Sequence, residues 1–178
     1  MDDERTRRFE ALALPHLDAA YNLARWLLRD ESAARDVVQE SYLRAFRFFD
    51  GLRGGEARPW LLGIVRNTCF TWLQSLRKDG DMLPFDEERD SEGGEGLTPA
   101  DGNPEGLLLQ KLERRRVQAA IEALPPVFRE VIVLRELEDL SYEEIARIAG
   151  VPAGTVMSRL SRGRRFLRTH LLEQEAGR

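Results

Sequence analysis

The 178-residue sequence has only one cysteine, Cys69, and two histidines, His16 and His170, that lie far apart. A single cysteine cannot form an internal disulfide, and two distant histidines do not match the ligand spacing of a zinc site. No run of about 18 apolar residues occurs, and the first eight residues are charged with no apolar signal segment behind them. We therefore expect a cytoplasmic protein without membrane insertion, metal or other cofactor.

Sequence motifs of enzyme chemistry are also missing. We find no glycine-rich phosphate loop, no cluster of metal ligands and no arrangement that pairs a nucleophile with a base. The sequence therefore predicts a protein that is not an enzyme.

The charge of the chain is unevenly distributed. The formal net charge is -4, but residues 1–78 carry +2, residues 79–110 carry -9 and residues 111–178 carry +3. DNA responds to local potential, because salt screens charges over a distance of about 10 Å. The overall acidity therefore does not exclude nucleic-acid binding by either end of the chain.

The same three segments divide the chain into two domains and a linker. Residues 79–110 are rich in glycine, proline and acidic residues and have no helical or strand period, which indicates a flexible linker or a binding segment. Residues 1–78 and 111–178 have helical periodicity and no alternating pattern typical of strands. The predicted fold is all-α, with two small helical domains joined by an acidic flexible linker.

Three helices are predicted in the N-terminal domain. Apolar residues at three- and four-residue steps predict a helix over 9–29. Ser32 can cap a second helix that continues towards Gly51, and Pro59 suits the first turn of a third helix over about 58–78. Within this third helix, Cys69 is expected to be a small buried residue.

Four helices are predicted in the C-terminal domain, and the last two form a helix-turn-helix. The first two span 105–123 and 127–138. Ser141 and Glu144 have the capping-box spacing for a third helix that ends at Gly150, and a fourth runs from about Gly154 to Leu172. A short helix, a glycine-containing turn and a longer helix are typical of a module whose second helix enters the major groove of DNA.

Two helices carry side chains suited to nucleic acid. Residues 154–168 contain five arginines and no acid, and arginine can read guanine or hold a phosphate. In the third helix of the N-terminal domain, Arg66, Asn67, Phe70 and Trp72 could stack on and hydrogen-bond to unpaired bases. Each pattern also has a plainer interpretation: an arginine-rich helix can be a solvated face, and aromatic residues at helical spacing are often core.

Three segments resemble the extracytoplasmic-function group of the sigma-70 family. Residues 35–47, RDVVQESYLRAFR, resemble the family's polymerase-binding helix, and residues 58–73, RPWLLGIVRNTCFTWL, resemble its promoter-melting helix. Residues 124–165, from LPPVFREVIVLR to SRLSRGR, resemble its C-terminal helix-turn-helix domain. The resemblance implies a promoter-recognition subunit of RNA polymerase.

The resemblance also implies roles for individual residues. The predicted contacts with the clamp helices of the largest subunit of core RNA polymerase are Asp36, Gln39, Glu40, Leu43 and Arg44. The predicted contacts with promoter DNA at the minus-10 element are Arg53, Arg66, Asn67 and Trp72, with Asn67 holding a flipped base. The predicted contacts at the minus-35 element are Thr155, Ser158, Arg159, Ser161, Arg162 and Arg165.

Two positions depart from the family pattern. Met157 lies where many relatives have a cation, so the base preference at the minus-35 element does not follow from the resemblance. Arg35 replaces an acid that is common in the polymerase-binding motif. Family membership further implies control by an anti-sigma factor and a linker that passes through the polymerase towards the RNA exit path.

A rival hypothesis is a free-standing transcription regulator that binds duplex operators with the same helix-turn-helix. Such a regulator should bind DNA tightly by itself. A two-domain sigma factor should instead bind promoter DNA poorly until polymerase holds both domains at the correct spacing.

Overall fold

The computed structural model describes residues 2–52, 56–78 and 104–177. Within these ranges the chain is helical and contains no β-strand, which confirms the predicted all-α fold. The α-helices of the described residues are α1 (Asp2–Ala13), α2 (Leu17–Leu28), α3 (Glu31–Arg47), α4 (Ala57–Lys78), α5 (Pro104–Ala123), α6 (Pro126–Ile132), α7 (Tyr142–Ala149) and α8 (Ala153–Ala176). None of them is long and apolar enough to cross a membrane.

The single helix predicted over 9–29 is wrong, because the chain breaks it into α1 and α2. A short 3-10 turn, Leu14–His16, separates the two helices. Pro15 at the centre of this turn has no N–H to continue an α-helical ladder, and its ring disfavours the α conformation of the residue before it. The break lets α1 fold back so that Phe9 packs edge-on against Phe46 and Phe49.

The start of α3 also differs from the prediction. Asp30, and not Ser32, is the N-cap, and its side chain accepts a 3.0 Å hydrogen bond from the backbone N–H of Ala33. Aspartate suits this position because it satisfies a free N–H and carries negative charge at the positive end of the helix. The helix α4 matches its prediction, with Pro59 in the first turn and Cys69 fully buried.

In the C-terminal half, α5 begins at Pro104, so residues 104–110 of the predicted linker are helical. Residues 79–103 lie outside the described residues. The helix predicted over 127–138 is instead α6 followed by a π-helical turn, Val133–Leu137. The backbone N–H of Glu138 donates to the carbonyl of Val133 at 3.1 Å, which closes the wider turn.

One apolar core runs through both halves of the chain. It joins buried residues of α2, α3 and α4 to buried residues of α5 through α8. The helix α2 packs on α6 and on the π-helical turn, while α4 packs on α7. A smaller cluster around Phe9 holds α1 to α3 and α4. The two helical units are therefore in direct contact.

Polar contacts reinforce this interface between the halves. The amide of Asn22 donates to Oε1 of Glu138, and the guanidinium of Arg58 donates to the backbone carbonyl of Glu138, both at 2.7 Å. The guanidinium of Arg129 on α6 reaches the carbonyl oxygens of Trp26 and Leu27 at the end of α2. These bonds tie the N-terminal helices to the C-terminal half.

Candidate polymerase and nucleic-acid interfaces

The outward face of α3 carries the residues predicted to bind polymerase. Asp36, Gln39, Glu40, Leu43 and Arg44 are all exposed, because the helix buries its opposite face in the core. Arg44 donates to Glu40 one turn away at 2.6 Å, and an exposed pair of this kind contributes little to stability. The side chain of Leu43 is 63% exposed among these charges. An exposed leucine surrounded by polar groups is typical of a protein-binding surface.

An apolar groove of about 920 Å³ lies beside this face. The helices α1, α2 and α3 form its walls, and Gln39 and Leu43 belong to both the groove and the predicted polymerase face. The apolar lining residues are Phe9, Leu14, Leu17, Tyr21, Val38, Tyr42, Leu43 and Phe46. The groove extends the exposed face of α3 into a continuous surface that a partner helix could fill.

The residues predicted to contact the minus-10 element differ in exposure. Asn67 is exposed on α4, and its Oδ1 accepts a 3.3 Å hydrogen bond from Nη1 of Arg66. Trp72 is half-buried and packs against the main core. The guanidinium of Arg66 lies 4.0 Å from the centre of the Phe70 ring. Arg53 lies outside the described residues. The structure thus brings Arg66 and Asn67 together and turns Trp72 partly inward.

Arg66 is engaged by the C-terminal half of the chain. Its Nε donates to Oε2 of Glu130 at 2.7 Å, and its Nη2 donates to Oε1 at 3.0 Å. The Arg66 side chain is 17% exposed and that of Glu130 is completely buried. Burial raises the pKa of Glu130, while the hydrogen bonds and charge of Arg66 and the charge of Arg159 act in the opposite direction. This bidentate ion pair was not predicted from the sequence.

The helix-turn-helix forms as predicted. Ser141 caps α7 by accepting from the backbone N–H of Glu144 at 3.2 Å, and Gly150 ends the helix in a left-handed conformation with φ of 68°. Ile145, Val156 and Leu160 are buried where α7 meets α8. The local rules of helix capping therefore determine this motif.

Most of the predicted minus-35 residues are exposed on α8. Ser158, Ser161, Arg162 and Arg165 face solvent, and Thr155 is half-buried. Arg159 is the exception: its side chain is 24% exposed, and its Nη1 lies 3.8 Å from Oε1 of Glu130. The exposed side chains of α8 therefore offer hydroxyl groups and cations that can contact a DNA groove or the phosphate backbone.

The cations of α8 differ in their pairing. Arg164 forms an ion pair with Glu136 at 2.8 Å, and the hydrogen bond that Arg164 donates to Glu136 is the main reason that the pKa of Arg164 is raised. Among the described residues, Arg162 and Arg165 have no ion-pair partner. No group of three or more potential metal ligands occurs in the described part of the chain. The accessible chemistry of this surface is therefore positive charge and hydrogen bonding.

Known protein families match both the N-terminal and the C-terminal half of the chain. Residues 12–79 match the family model for Sigma-70 region 2, and residues 114–167 match that for Sigma-70, region 4. The chain is 43% identical to the ECF RNA polymerase sigma-E factor of Salmonella typhimurium over 132 residues, covering 72% of this chain and 69% of the relative. This chain belongs to the extracytoplasmic-function sigma factors.

Other similar proteins agree with this assignment. The sigma factor is 36% identical to the ECF sigma factor SigE of Mycolicibacterium smegmatis, covering 94% of this chain and 63% of the relative's length. Its fold is similar to that of the sigma factor RpoE of Bartonella quintana, solved in complex with the anti-sigma factor NepR. That match has a TM-score of 0.70 and 27% identity, and covers 93% of this chain and 97% of the other. These relatives are sigma factors, which are not enzymes.

Within this sigma factor, region 2 contains α2, α3 and α4. Region 4 contains the second half of α5, all of α6 and α7, and α8 as far as residue 167. Arg129 and Glu130, two adjacent charged residues that are buried at the contact between the regions, were not predicted from the sequence. The signal was present, because both lie on a helical segment whose neighbours are apolar. Charged residues are seldom buried without partners, so their place in an apolar run indicates paired groups.

Proposed function

We propose that this sigma factor binds core RNA polymerase through α3 and directs the enzyme to promoters through α4 and α8. The observation that carries the proposal is the presence of both sigma-70 regions in one chain, with the α3 face and most of the α8 face exposed. The polymerase would catalyse RNA synthesis, and this chain would carry out no catalytic step. Because core RNA polymerase is a cytoplasmic enzyme, the proposed site of action is the cytoplasm.

The polymerase contact we propose consists of Asp36, Gln39, Glu40, Leu43 and Arg44 against the clamp helices of the largest subunit. Two acids and an amide can complement a basic partner, and charge complementarity favours correct encounter and register. Leu43 supplies an apolar centre that can be buried on binding.

At the minus-10 element, we propose that Asn67 holds a base extruded from the non-template strand, with Arg66 and Trp72 beside it. The family resemblance adds Arg53 to this proposed minus-10 site. Unstacking a base costs a few kcal/mol, and a binding site for the extruded base can offset that cost. Recognition of the open strand would thereby promote melting without hydrolysis of any cofactor.

At the minus-35 element, we propose that α8 lies in the major groove with Thr155, Ser158, Arg159, Ser161, Arg162 and Arg165 towards the DNA. A good bidentate contact between arginine and guanine contributes about 1–3 kcal/mol of discrimination. The exposed side chain of Met157 lies on the same helix and could make an apolar contact with a thymine methyl group.

We further propose that an anti-sigma factor regulates this protein. The similar RpoE of Bartonella quintana was solved in complex with the anti-sigma factor NepR. The surface offered here is the exposed face of α3 and the apolar groove beside it, which a partner helix could cover in competition with polymerase.

Run-off transcription tests the proposal. Purified core polymerase is supplied with a promoter pool, with and without this protein, and transcripts are compared for wild type, Asp36→Arg/Glu40→Arg and Asn67→Ala. The charge-matched control is Glu173→Arg/Glu175→Arg, which reverses two exposed acids near the end of α8. We expect protein-dependent transcripts that the α3 double variant abolishes and the control retains.

Binding to core polymerase is measured in parallel by co-purification. The Asp36→Arg/Glu40→Arg variant should lose association, whereas Asn67→Ala should keep association and lose open-complex formation. If no transcript depends on the protein, no core association occurs and the protein alone binds duplex DNA tightly, the proposal fails and a free-standing regulator explains the data better.

A further inference from the structure

Arg5 connects the first helix, α1, to the end of α3. Its Nη2 donates to the backbone carbonyl of Phe46 at 2.7 Å, and its Nε donates to Oδ2 of Asp50 at 3.2 Å. The guanidinium also lies 4.4 Å from the centre of the Phe46 ring. The Arg5 side chain is 31% exposed, so its position is more restricted than that of a fully solvated arginine. One cation therefore joins α1 to the last turn of α3 and to the residues that follow it.

The two acceptors suit an arginine for different reasons. The carbonyl of Phe46 lies in the last turn of α3, where backbone carbonyls have no partner further along the helix and partial negative charge favours a cation. Asp50 lies in the 3-10 turn Phe49–Gly51, and its carboxylate is a second acceptor. A guanidinium can bond to both at once because its donors are spread over a rigid plane. Lysine at position 5 could keep the charge but not the paired geometry.

The turn that Arg5 holds lies between α3 and α4. Phe49 is buried in this turn and shares the smaller apolar cluster with Phe9 of α1 and Leu61 of α4. The guanidinium of Arg8, three residues after Arg5, lies 5.7 Å from the centre of the Phe49 ring. The helix α1 thus contacts the turn through an apolar side chain and two cations, and these contacts restrict where the turn lies relative to α4.

The same turn leads towards the proposed minus-10 site, and the inference rests on that proposed function. Gly51 is two residues before Arg53, and α4 carries Asn67 of the same proposed site. The position of the turn therefore sets the point from which the chain continues to Arg53. The match to Sigma-70 region 2 begins at residue 12, so Arg5 precedes it and the match assigns Arg5 no role.

We propose that Arg5 is a positioning residue of the minus-10 site, which acts on DNA through the turn Phe49–Gly51 and not by direct contact. By holding Phe46 and Asp50, Arg5 reduces the conformational freedom of the turn. Less entropy is then lost when the site binds the open strand, so the affinity for that strand is higher. Binding of core polymerase does not depend on Arg5, because the proposed polymerase residues lie on the outward face of α3.

Binding of single-stranded DNA by the complex of this sigma factor with core polymerase tests the proposal. The probe is a fluorescent oligonucleotide with the non-template sequence of the minus-10 region, taken from the strongest promoter of the run-off pool, and anisotropy measures its affinity. We expect Arg5→Met to lose about fivefold or more in affinity while association with core polymerase is unchanged. Arg5→Lys should recover part of this loss. The control is Arg7→Met, which removes an exposed arginine that pairs with Asp3 on the same helix.

A double-mutant cycle tests whether Arg5 acts through Arg53. Arg5→Met, Arg53→Ala and the double variant are compared for affinity to the same oligonucleotide. If Arg5 positions Arg53, the Arg5→Met change should cost less than about twofold in the Arg53→Ala background, because the residue that it positions is already absent. A role in folding alone would not produce this dependence.

Asp50→Ala protects the test against misfolding of Arg5→Met. The Asp50 side chain is 76% exposed, so its removal should leave the fold intact. This variant keeps the bond between Arg5 and Phe46 and should weaken oligonucleotide binding by a smaller factor than Arg5→Met. Asp3→Ala is the matched control, since it removes an exposed aspartate that pairs with Arg7 within α1.

The outcomes separate this inference from the proposed function. Wild-type affinity in both Arg5→Met and Asp50→Ala overturns the positioning role and leaves the sigma function intact. Additive losses in the cycle, or an equal loss of core association, indicate a structural role only and also overturn it. If Arg53→Ala alone has no effect, both this inference and the assignment of Arg53 are wrong. Absence of protein-dependent transcription with wild-type protein instead contradicts the proposed function.

Discussion

Arg129 on α6 donates a hydrogen bond from its buried Nη1 to the carbonyl oxygen of Leu27 near the end of α2, at 3.2 Å. The same guanidinium reaches the carbonyls of Trp26, Glu122 and Leu124. The last carbonyls of a helix have no partner within it, and a cation suits the negative end of the helix dipole. Arg129 therefore satisfies the end of α2 and the turn between α5 and α6 at once.

The first prediction is that Arg129→Met lowers the free energy of unfolding by about 3 kcal/mol or more, because several buried carbonyls lose a charged donor. Urea unfolding followed by circular dichroism measures the change. Arg147→Met is the control, since Arg147 makes an exposed ion pair with Glu56 and no other ion pair within the described ranges. This variant should stay within about 0.5 kcal/mol of wild type. Similar unfolding curves for both variants would contradict this role of Arg129.

The second prediction concerns the turn of the helix-turn-helix. Gly150 has φ of 68°, and Gly150→Ala should destabilise the protein by about 1–2 kcal/mol because an L side chain is strained there. Gly154→Ala, within the first turn of α8, meets nothing within 4 Å and should be neutral or stabilising by up to about 1 kcal/mol. Thermal unfolding of the two variants compares them, and an equal effect would show that the conformation of Gly150 is unimportant.

The third prediction concerns the docking of α1. The hydroxyl of Tyr42 donates to the carbonyl of Ala13 at 2.7 Å, where α1 ends. Tyr42→Phe should lower the free energy of unfolding by about 1 kcal/mol, as expected for loss of one hydrogen bond. Tyr21→Phe is the matched control, because the Tyr21 hydroxyl has no hydrogen bond among the described residues. A larger loss for Tyr21→Phe would contradict this account.

The fourth prediction is a fall in stability at alkaline pH that depends on Cys69. Burial, followed by the charge of Glu130, raises the pKa of the Cys69 thiol from 9.0 to about 12. Between these values the unfolded thiol releases its proton while the folded thiol keeps it, so the stability associated with Cys69 is present below pH 9 and declines as the pH rises towards 12.

Urea unfolding between pH 8 and pH 10.5 measures this decline, and Cys69→Ala should make the dependence on pH less steep. The native thiol should also react slowly with a thiol reagent and quickly once the protein is unfolded. Rapid reaction of the folded protein at pH 8, or an unchanged slope in Cys69→Ala, would show that the thiol is not protected by burial.

The helix-turn-helix could be predicted in detail because its signals are local. Ser141, Glu144 and Gly150 define the ends of α7 through hydrogen bonds and backbone conformation within a few residues. The single helix predicted over 9–29 is wrong for an equally local reason: Pro15 interrupts the helix although the apolar periodicity continues across it. The prediction of Ser32 as the cap of α3 is wrong because Asp30, two positions earlier, caps the helix instead.

The sequence by itself determined the helical class, the helix-turn-helix and the membership of the sigma family, because each depends on neighbouring residues or on ordered motifs. The assignments of Arg53, Asn67 and the other contact residues remain predictions. Only the tertiary structure decided that Arg66 meets a buried carboxylate 64 positions away at Glu130. Periodicity identifies the side of a helix on which a residue lies, but the packing of distant helices decides whether that side faces water, DNA or another part of the chain.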